Sequence, residues 1–380
     1  MSGRTDPSLP PEAYAAALAG FRAMNVHRLR ALLHHHTPEE AWHVVLGELP
    51  GRGLAGRVMA DPKVRDAWRL SATERSPEQV WDQCLALGLC VLVHGTPGYP
   101  ALLLDDPLPP AVLFALGHLP LLEGRRVGIV GTRNATAAGR HTAHELGFGL
   151  GSAGVHVVSG LARGIDGHAH QGVLAAEGEG RPVAVVASGL DVVYPREHRH
   201  LWRAVADCGL LLSESPPGTP PEPHRFPLRN RIVAALSEAV VVVESREKGG
   251  SLITVTEALD RDVPVMAVPG PVSARSSAGT NSLLRDGATP VLDAGDVLDL
   301  LQLHHRRAQL QVAADARRRP DGADLVVYRG LAGEPRSLDG VMLITGLPLG
   351  EVAMCLARLV AEGWVAEADG WFERVGSPLR

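Results

Sequence analysis

Six short apolar runs recur between residues 127 and 270: VGIVG (127–131), VHVVSG (155–160), PVAVVAS (182–188), GLLLSE (209–214), AVVVVES (239–245) and VPVMAVPG (263–270). Their apolar positions are continuous, β-branched and bounded by glycine or polar turns, which suits strands buried on both faces of a parallel sheet. The stretches between them are long enough for crossover helices. The pattern predicts a doubly wound α/β domain whose ligand site lies beyond the carboxyl ends of its strands.

Other textures flank this core. From Pro11 to about Leu87 the chain is dense in Ala, Leu, His and Arg at helical spacing, with short Pro or Gly breaks, and predicts a small helical domain. Extended segments with Pro and Gly turns begin at Val91. After the last run, LHHRRAQLQVAADARRRPDGAD (303–324) carries Arg306, Arg307, Arg317, Arg318 and Arg319, and is either a helix that runs out at Pro320 or a linker. Residues 325–375 read as helix, turn, helix and short hairpin, the pattern of a winged helix, a module that serves protein contacts as well as DNA. Its second helix, 349–362, offers Arg358 as its only arginine. The expected division is 1–87 helical, 88–302 α/β, 303–323 basic linker and 324–380 winged helix.

Composition narrows the chemistry. With 380 residues and 45% apolar content the chain can bury a substantial core. No charged-then-apolar leader and no apolar run of about 18 residues occurs, so the expectation is a cytoplasmic protein with no membrane partner. Cys84, Cys90, Cys208 and Cys355 form no CxxC pair, and are expected as reduced thiols packed as small hydrophobes, with no structural metal. The formal charge of −5 is not that of a strongly basic chain, though a local basic patch still creates an attractive field. Lys63 and Lys248 are the only lysines, so arginine supplies nearly all the phosphate donors. No GxxxxGK[ST] occurs, which excludes a P-loop ATPase.

The turn after the first run, Gly131-Thr132-Arg133, lacks the GxGxxG of a dinucleotide binder, and the second run ends in Ser159-Gly160 with no acid for a ribose. A literal GxGxxG at 149–154 precedes its strand, and reads as a small-residue helix end and turn. What the first turn offers is a helix start after Arg133 with free N–H groups, plus a guanidinium, which together suit an anion such as phosphate. Similar chemistry follows the second run in SGLARGIDGHAH (159–170), with Arg163, and the fifth in SREKGGSLITVTEAL (245–259), with Lys248, Gly249, Gly250 and Ser251. PHRFPLRNRIVAAL (223–236) groups His224, Arg225, Arg229 and Arg231 around Phe226 and Asn230, the mixture of charge and ring that single-stranded nucleic acid uses. Each feature has a plainer reading: tight turns for the glycines, a core anchor for Phe226, helix capping for Asp166. The i, i+2 pair His168/His170 could be metal ligands or part of a helix start, and His34-His35-His36 reads as a solvated helix end. No nucleophile–base pair stands out, so no catalytic residue is expected.

Taken in order, VGIVGTRNAT, VVSGLARGIDGHAHQGVL, VVASGLDVVYPREHRHLW, LLSESPPGTPPEPHRFPLRNRIVAALS, VVVVESREKGGSLITVTEAL and VPVMAVPGPVSARSSAGTNSLLRDGATPV resemble the DNA-processing protein A (DprA/Smf) family over residues 91–301. The resemblance implies an N-terminal domain similar to sterile-alpha-motif (SAM) folds, an extended Rossmann-like doubly wound parallel sheet and a C-terminal winged helix. It also implies a non-enzymatic, homodimeric recombination mediator that binds single-stranded DNA and loads RecA recombinase in natural transformation, without a cofactor. Carried onto this sequence, the implied DNA contacts are Arg133; Ser159, Gly160 and Arg163; Arg225, Phe226, Arg229, Asn230 and Arg231; and Lys248, Gly249, Gly250, Ser251 and Thr254, with Arg196 and Arg199 as further candidates. Some relatives carry lysine three residues before the phenylalanine; here that position is Pro223, so either Arg225 or His224 substitutes or the grip is weaker.

Two rivals remain. The loop Lys248-Gly249-Gly250 with Thr254 and Glu257 is similar, one residue out of spacing, to the PGGxGTxxE loop of lysine-decarboxylase-like phosphoribohydrolases, which makes nucleotide hydrolysis the alternative. The winged helix could instead serve a transcription regulator on duplex DNA.

Overall fold

The computed structural model describes residues 9–302, 319–332, 335–368 and 370–375. Six helices come first: α1 (Pro11–Ala19), α2 (Val26–Leu33), α3 (Pro38–Leu46), α4 (Gly53–Met59), α5 (Pro62–Glu74) and α6 (Pro77–Ala86). Their starts are written in the sequence: Thr37 and Ser76 close capping boxes with Glu40 and Gln79, and a proline opens the first turn of α1, α3, α5 and α6. They bury Leu18, Leu32, Trp42 and Trp68 in a core that continues into Val91, Phe114 and Leu211 of the sheet behind them.

The sheet has nine strands: β1 (Cys90–Val93), β2 (Val112–Gly117), β3 (Arg126–Val130), β4 (His156–Ser159), β5 (Pro182–Val185), β6 (Leu210–Ser213), β7 (Val240–Val242), β8 (Val265–Ala267) and β9 (Thr289–Pro290). Their order is β1-β2-β6-β5-β4-β3-β7-β8-β9. All six predicted runs are strands in a parallel arrangement, fully buried at nearly every position. The prediction needs one amendment: β1 and β2 pair antiparallel with each other and onto β6, so the parallel body carries an antiparallel edge. From β3 the chain winds outward through β4, β5 and β6, then returns to the other side of β3 with β7. The crease between β3 and β7 is therefore the topological switch point, where doubly wound sheets hold their ligands.

The crossovers are α7 (Ala137–Ser152), α8 (Ile165–Ala175), α9 (Arg199–Cys208), α10 (Arg225–Ala235), α11 (Ser251–Leu259), α12 (Ala278–Arg285) and α13 (Ala294–Leu300). Helices α7 and α8 lie almost backbone to backbone, because a Cβ at Gly147 would collide with the Ala169 carbonyl and one at Gly172 with that of His144. Gly149 and Gly151 belong to the last turns of α7 and Gly154 to the turn after it, in keeping with the small-residue helix-end reading of the misplaced GxGxxG.

A separate apolar cluster around Val327, Tyr328, Leu356 and Trp364 holds α14 (Gly322–Gly330), α15 (Leu338–Thr345), α16 (Leu349–Ala361) and a three-stranded antiparallel sheet of β10 (Arg336–Ser337), β11 (Val365–Ala368) and β12 (Trp371–Arg374), ordered β10-β12-β11. Arg358 does not project freely from α16: its guanidinium holds Asp324 at 2.7 and 3.0 Å. Arg306, Arg307, Arg317 and Arg318 lie outside the described residues, and Arg319 is exposed. Cys84 and Cys355 are buried thiols as expected, whereas Cys90 and Cys208 are exposed. Among the described residues no single helix is long and apolar enough to cross a membrane.

Candidate nucleic-acid interface

The carboxyl ends of β3, β4, β5 and β7 open onto a cleft of about 580 Å³. Its lining brings together the turn Gly131-Thr132-Arg133, Gly160, Phe226 and Asn230 of α10, and Gly249, Gly250, Ser251 and Thr254 at the start of α11. Beside it lies a second hollow of about 230 Å³ over Gly160, Arg163 and the end of β5. Phe226 lines both. Arg133 stands 4.4 Å above its ring and Tyr194 packs at 5.7 Å between centroids, so a guanidinium and two aromatic rings form the partition. Arg133 and Arg246 line the cleft and Lys248 stands next to its Gly249-Gly250 wall without lining it; all three are exposed, and among the described residues none is in a salt bridge with an acid. Such a combination can neutralise a phosphate chain and offer a flat apolar surface to a base.

Several expected contacts turn out to be supports. Arg231 is 2% exposed and spends its charge on Glu214 at 2.5 Å and on the Leu108 carbonyl at 2.7 Å, so it braces α10 and cannot meet DNA. Arg229, 6% exposed, donates to the Val185 carbonyl and lies across Gly160, where any Cβ would strike its guanidinium. Burial pushes Arg229 down to about 10, against the pull of nearby Asp166. Burial likewise raises the Asp166 carboxyl, opposed by the Arg229 charge and by N–H groups of Ala162 and Gly160. That carboxylate, on the second residue of α8, accepts from the Gly160 N–H at 3.1 Å and ties the 159–166 loop back on itself; it does not cap α8, whose N-cap Gly164 receives no side-chain bond, so the expected cap is instead a loop brace. Ser159 is fully buried with its hydroxyl on the Ile129 carbonyl, Thr254 is buried, and the Ser251 hydroxyl holds that of Ser245 at 2.9 Å.

The helix start after Arg133 also differs from expectation. α7 begins at Ala137, capped by Thr136, and its N-terminus is already occupied by the carboxylate of Glu244, which accepts from the Thr136 N–H at 2.9 Å and hydroxyl at 2.5 Å. The start of α11 receives no such carboxylate among the described residues, and nothing lies within 4 Å of a Cβ built on Gly250. The Lys248-Gly249-Gly250 nest is thus the open one.

Four arginines sit apart from the cleft. Arg163, on the rim of the second hollow, is paired with Glu197. Arg196 and Arg199 are exposed at the start of α9 and line neither hollow. Arg225 turns to Glu222 and Ser215, and His224 to Glu222, facing a different hollow; neither replaces the lysine that Pro223 displaces. Conversely Arg246, Tyr194, Pro221 and Ile253 line the cleft without having been singled out. Tyr194 and Arg246 stand within quoted segments, yet only the folded chain brings the loop after β5 against α10. Glu257 pairs with Arg261 at 2.7 Å and is absent from the cleft lining, which leaves the hydrolase alternative without its carboxylate. His170 is fully buried and burial drives it down to about 3, and His168 bonds the Gly164 carbonyl; among the described residues no three His, Cys, Asp or Glu side chains are placed to hold a metal.

Comparison with known proteins agrees with this geometry. The family model for DNA recombination-mediator protein A matches residues 90–302. The DNA processing protein DprA of Bacillus subtilis is 45% identical over 194 residues, which span 51% of this chain and 65% of that relative. The crystal structure of DNA processing protein A from Streptococcus pneumoniae superposes with a TM-score of 0.62 at 27% identity, covering 77% of this chain and 98% of that one. The Helicobacter pylori protein of the same name, studied for its single-stranded DNA binding mode, gives 0.50 at 28% identity over 56% of this chain and 95% of its own. A parallel sheet with an arginine- and aromatic-lined rim at its switch point, matched by the family model along more than half of its length, places this chain in the DNA recombination-mediator protein A (DprA/Smf) family.

Proposed function

We propose that the cleft at the carboxyl rim binds single-stranded DNA with little sequence preference, and that the protein acts without catalysis or cofactor as a cytoplasmic, homodimeric mediator that loads RecA onto DNA taken up in natural transformation. The observation that carries this reading is the partition of Arg133, Phe226 and Tyr194, flanked by Arg246 and the open Lys248-Gly249-Gly250 nest. Cations follow the backbone, and the rings receive an unstacked base. The single-stranded DNA binding mode described for the Helicobacter pylori relative supports it. In this reading the cleft uses Arg133, Gly160, Phe226, Asn230, Lys248, Gly249 and Gly250 directly, with Arg163, Arg196 and Arg199 guiding the strand outside it. The helices before residue 88 are a SAM-like domain, and α14–α16 with β10–β12 are a winged helix.

A polarisation series with labelled oligothymidine tests the proposal, using duplex DNA and thymidine monophosphate as competitors. Tight, salt-sensitive binding of single strands that duplex and mononucleotide displace poorly is expected; no binding of oligothymidine at low ionic strength overturns the reading. RecA loading is read separately, as faster RecA filament nucleation on an oligonucleotide precoated with single-strand binding protein. Absence of acceleration limits the function to DNA binding.

A further inference from the structure

We infer that Glu244 determines which class of phosphate ligand the β3/β7 crease accepts: its carboxylate fills the place where a doubly wound sheet would hold a nucleotide's phosphate, so monomeric nucleotides are turned away and only the outer rim is left. The crease is where such folds bind dinucleotides, at the N-terminus of the first crossover helix. Here that helix start is sealed from within. Glu244 is 7% exposed, takes both the N–H and the hydroxyl of Thr136, and lies so close to Gly139 that a Cβ there would collide with its carboxyl group. The Thr136 hydroxyl in turn accepts from the Gly139 N–H at 3.0 Å, so the Gly139 N–H is taken by Thr136, the N–H and hydroxyl of Thr136 are taken by Glu244, and none of the three is open to a phosphate. A free phosphate would meet both a filled space and a like charge.

The inference deepens the proposed function and rests on it for the polymer that uses the remaining rim. Its test is independent. Pyrophosphate and thymidine monophosphate are titrated calorimetrically into wild type, Glu244→Ala and Glu244→Gln, with oligothymidine polarisation in parallel. Wild type is expected to show no saturable binding of either small anion. Glu244→Ala should bind pyrophosphate at least about ten-fold more tightly, as a helix N-terminus regains its anion, and Glu244→Gln, which keeps an acceptor for the Thr136 N–H, should fall between. Saturable pyrophosphate binding by wild type, or a folded Glu244→Ala with no gain, overturns the inference. If Glu244→Ala does not fold, Glu244→Gln decides: affinity no higher than wild type overturns it. Failure of wild type to bind oligothymidine removes the functional reading instead, whatever the small anions do.

Discussion

Replacing Arg133 by alanine tests the site at its centre. Two interactions are lost. A charge-assisted contact to a phosphate is worth about 1.5–3 kcal/mol, and the lower half of that range applies because Arg133 is exposed. The guanidinium 4.4 Å above the Phe226 ring contributes about 0.5–1 kcal/mol and also holds that ring in place. Their sum, about 2–3 kcal/mol, corresponds to roughly 30- to 150-fold weaker binding at low salt. The sharper readout is the salt dependence. Each neutralised phosphate of a single strand contributes about 0.7 to the slope of log affinity against log salt, so Arg133→Ala should shallow the slope by about that amount, and the gap between variant and wild type should narrow as salt rises. Phe226→Ala serves as the contrast, losing about 1–3 kcal/mol of stacking with the slope unchanged. Polarisation of labelled oligothymidine across a potassium chloride series measures both quantities. An unchanged slope with weaker binding would mean that Arg133 only positions the ring; unchanged affinity would refute the assignment of the rim altogether.

Gly250 sits at φ −63°, ψ −20° with open space around its Cβ position, so Gly250→Ala should raise stability by about 0.4–1 kcal/mol while weakening single-strand binding, because the methyl stands where a phosphate approaches; melting curves and polarisation check the two halves, and unaltered binding would show that no phosphate comes near. Arg231→Ala should destabilise the fold by about 1–3 kcal/mol in urea titrations, since it leaves the partly buried Glu214 carboxylate and the Leu108 carbonyl without their donor, whereas near-neutral stability would mean that the pair is not closed in solution. His170 is held neutral by burial, with a folded pKa near 3 against an ordinary 6.5. The unfolded chain therefore takes up a proton that the folded one refuses, and stability is lost as pH falls from 6.5 toward 3, by about 2 kcal/mol at roughly pH 5. His170→Leu should flatten that part of the stability–pH curve, and an unchanged curve would place the acid sensitivity elsewhere.

The strands were legible because unbroken runs such as VVVVE and VGIVG have no other stable use than burial between two helical layers. Their neighbours in space were not, since nothing local to residues 90–117 says that they join β6 in the antiparallel sense. Within FPLRNR, four side chains that would all suit a nucleic acid part company on α10. Phe226 and Asn230 reach the cleft, Arg229 only floors it, held down beside Asp166, and Arg231 is drawn away from it by Glu214, both acids coming from distant segments. A run of arginines states how much charge is present, and only the facing carboxylates decide how much of it is available to a ligand. Glu244 escaped notice for the same reason: at the end of an apolar strand it reads as a strand terminator, and its partner Thr136 is 108 residues away.

The interlock of α7 and α8 bears on how the rim meets its ligand. Arg133 enters α7 and the 159–164 loop enters α8, and the two helices touch through Gly147 and Gly172 with no side chain between them to act as a bearing. Neither loop can therefore slide without its neighbour, and the ordering cost that a floppy receptor would meet on association is met once, when the chain folds. Added bulk at Gly147, far from any nucleotide, would be felt as a loss of preorganisation at the opposite end of both helices.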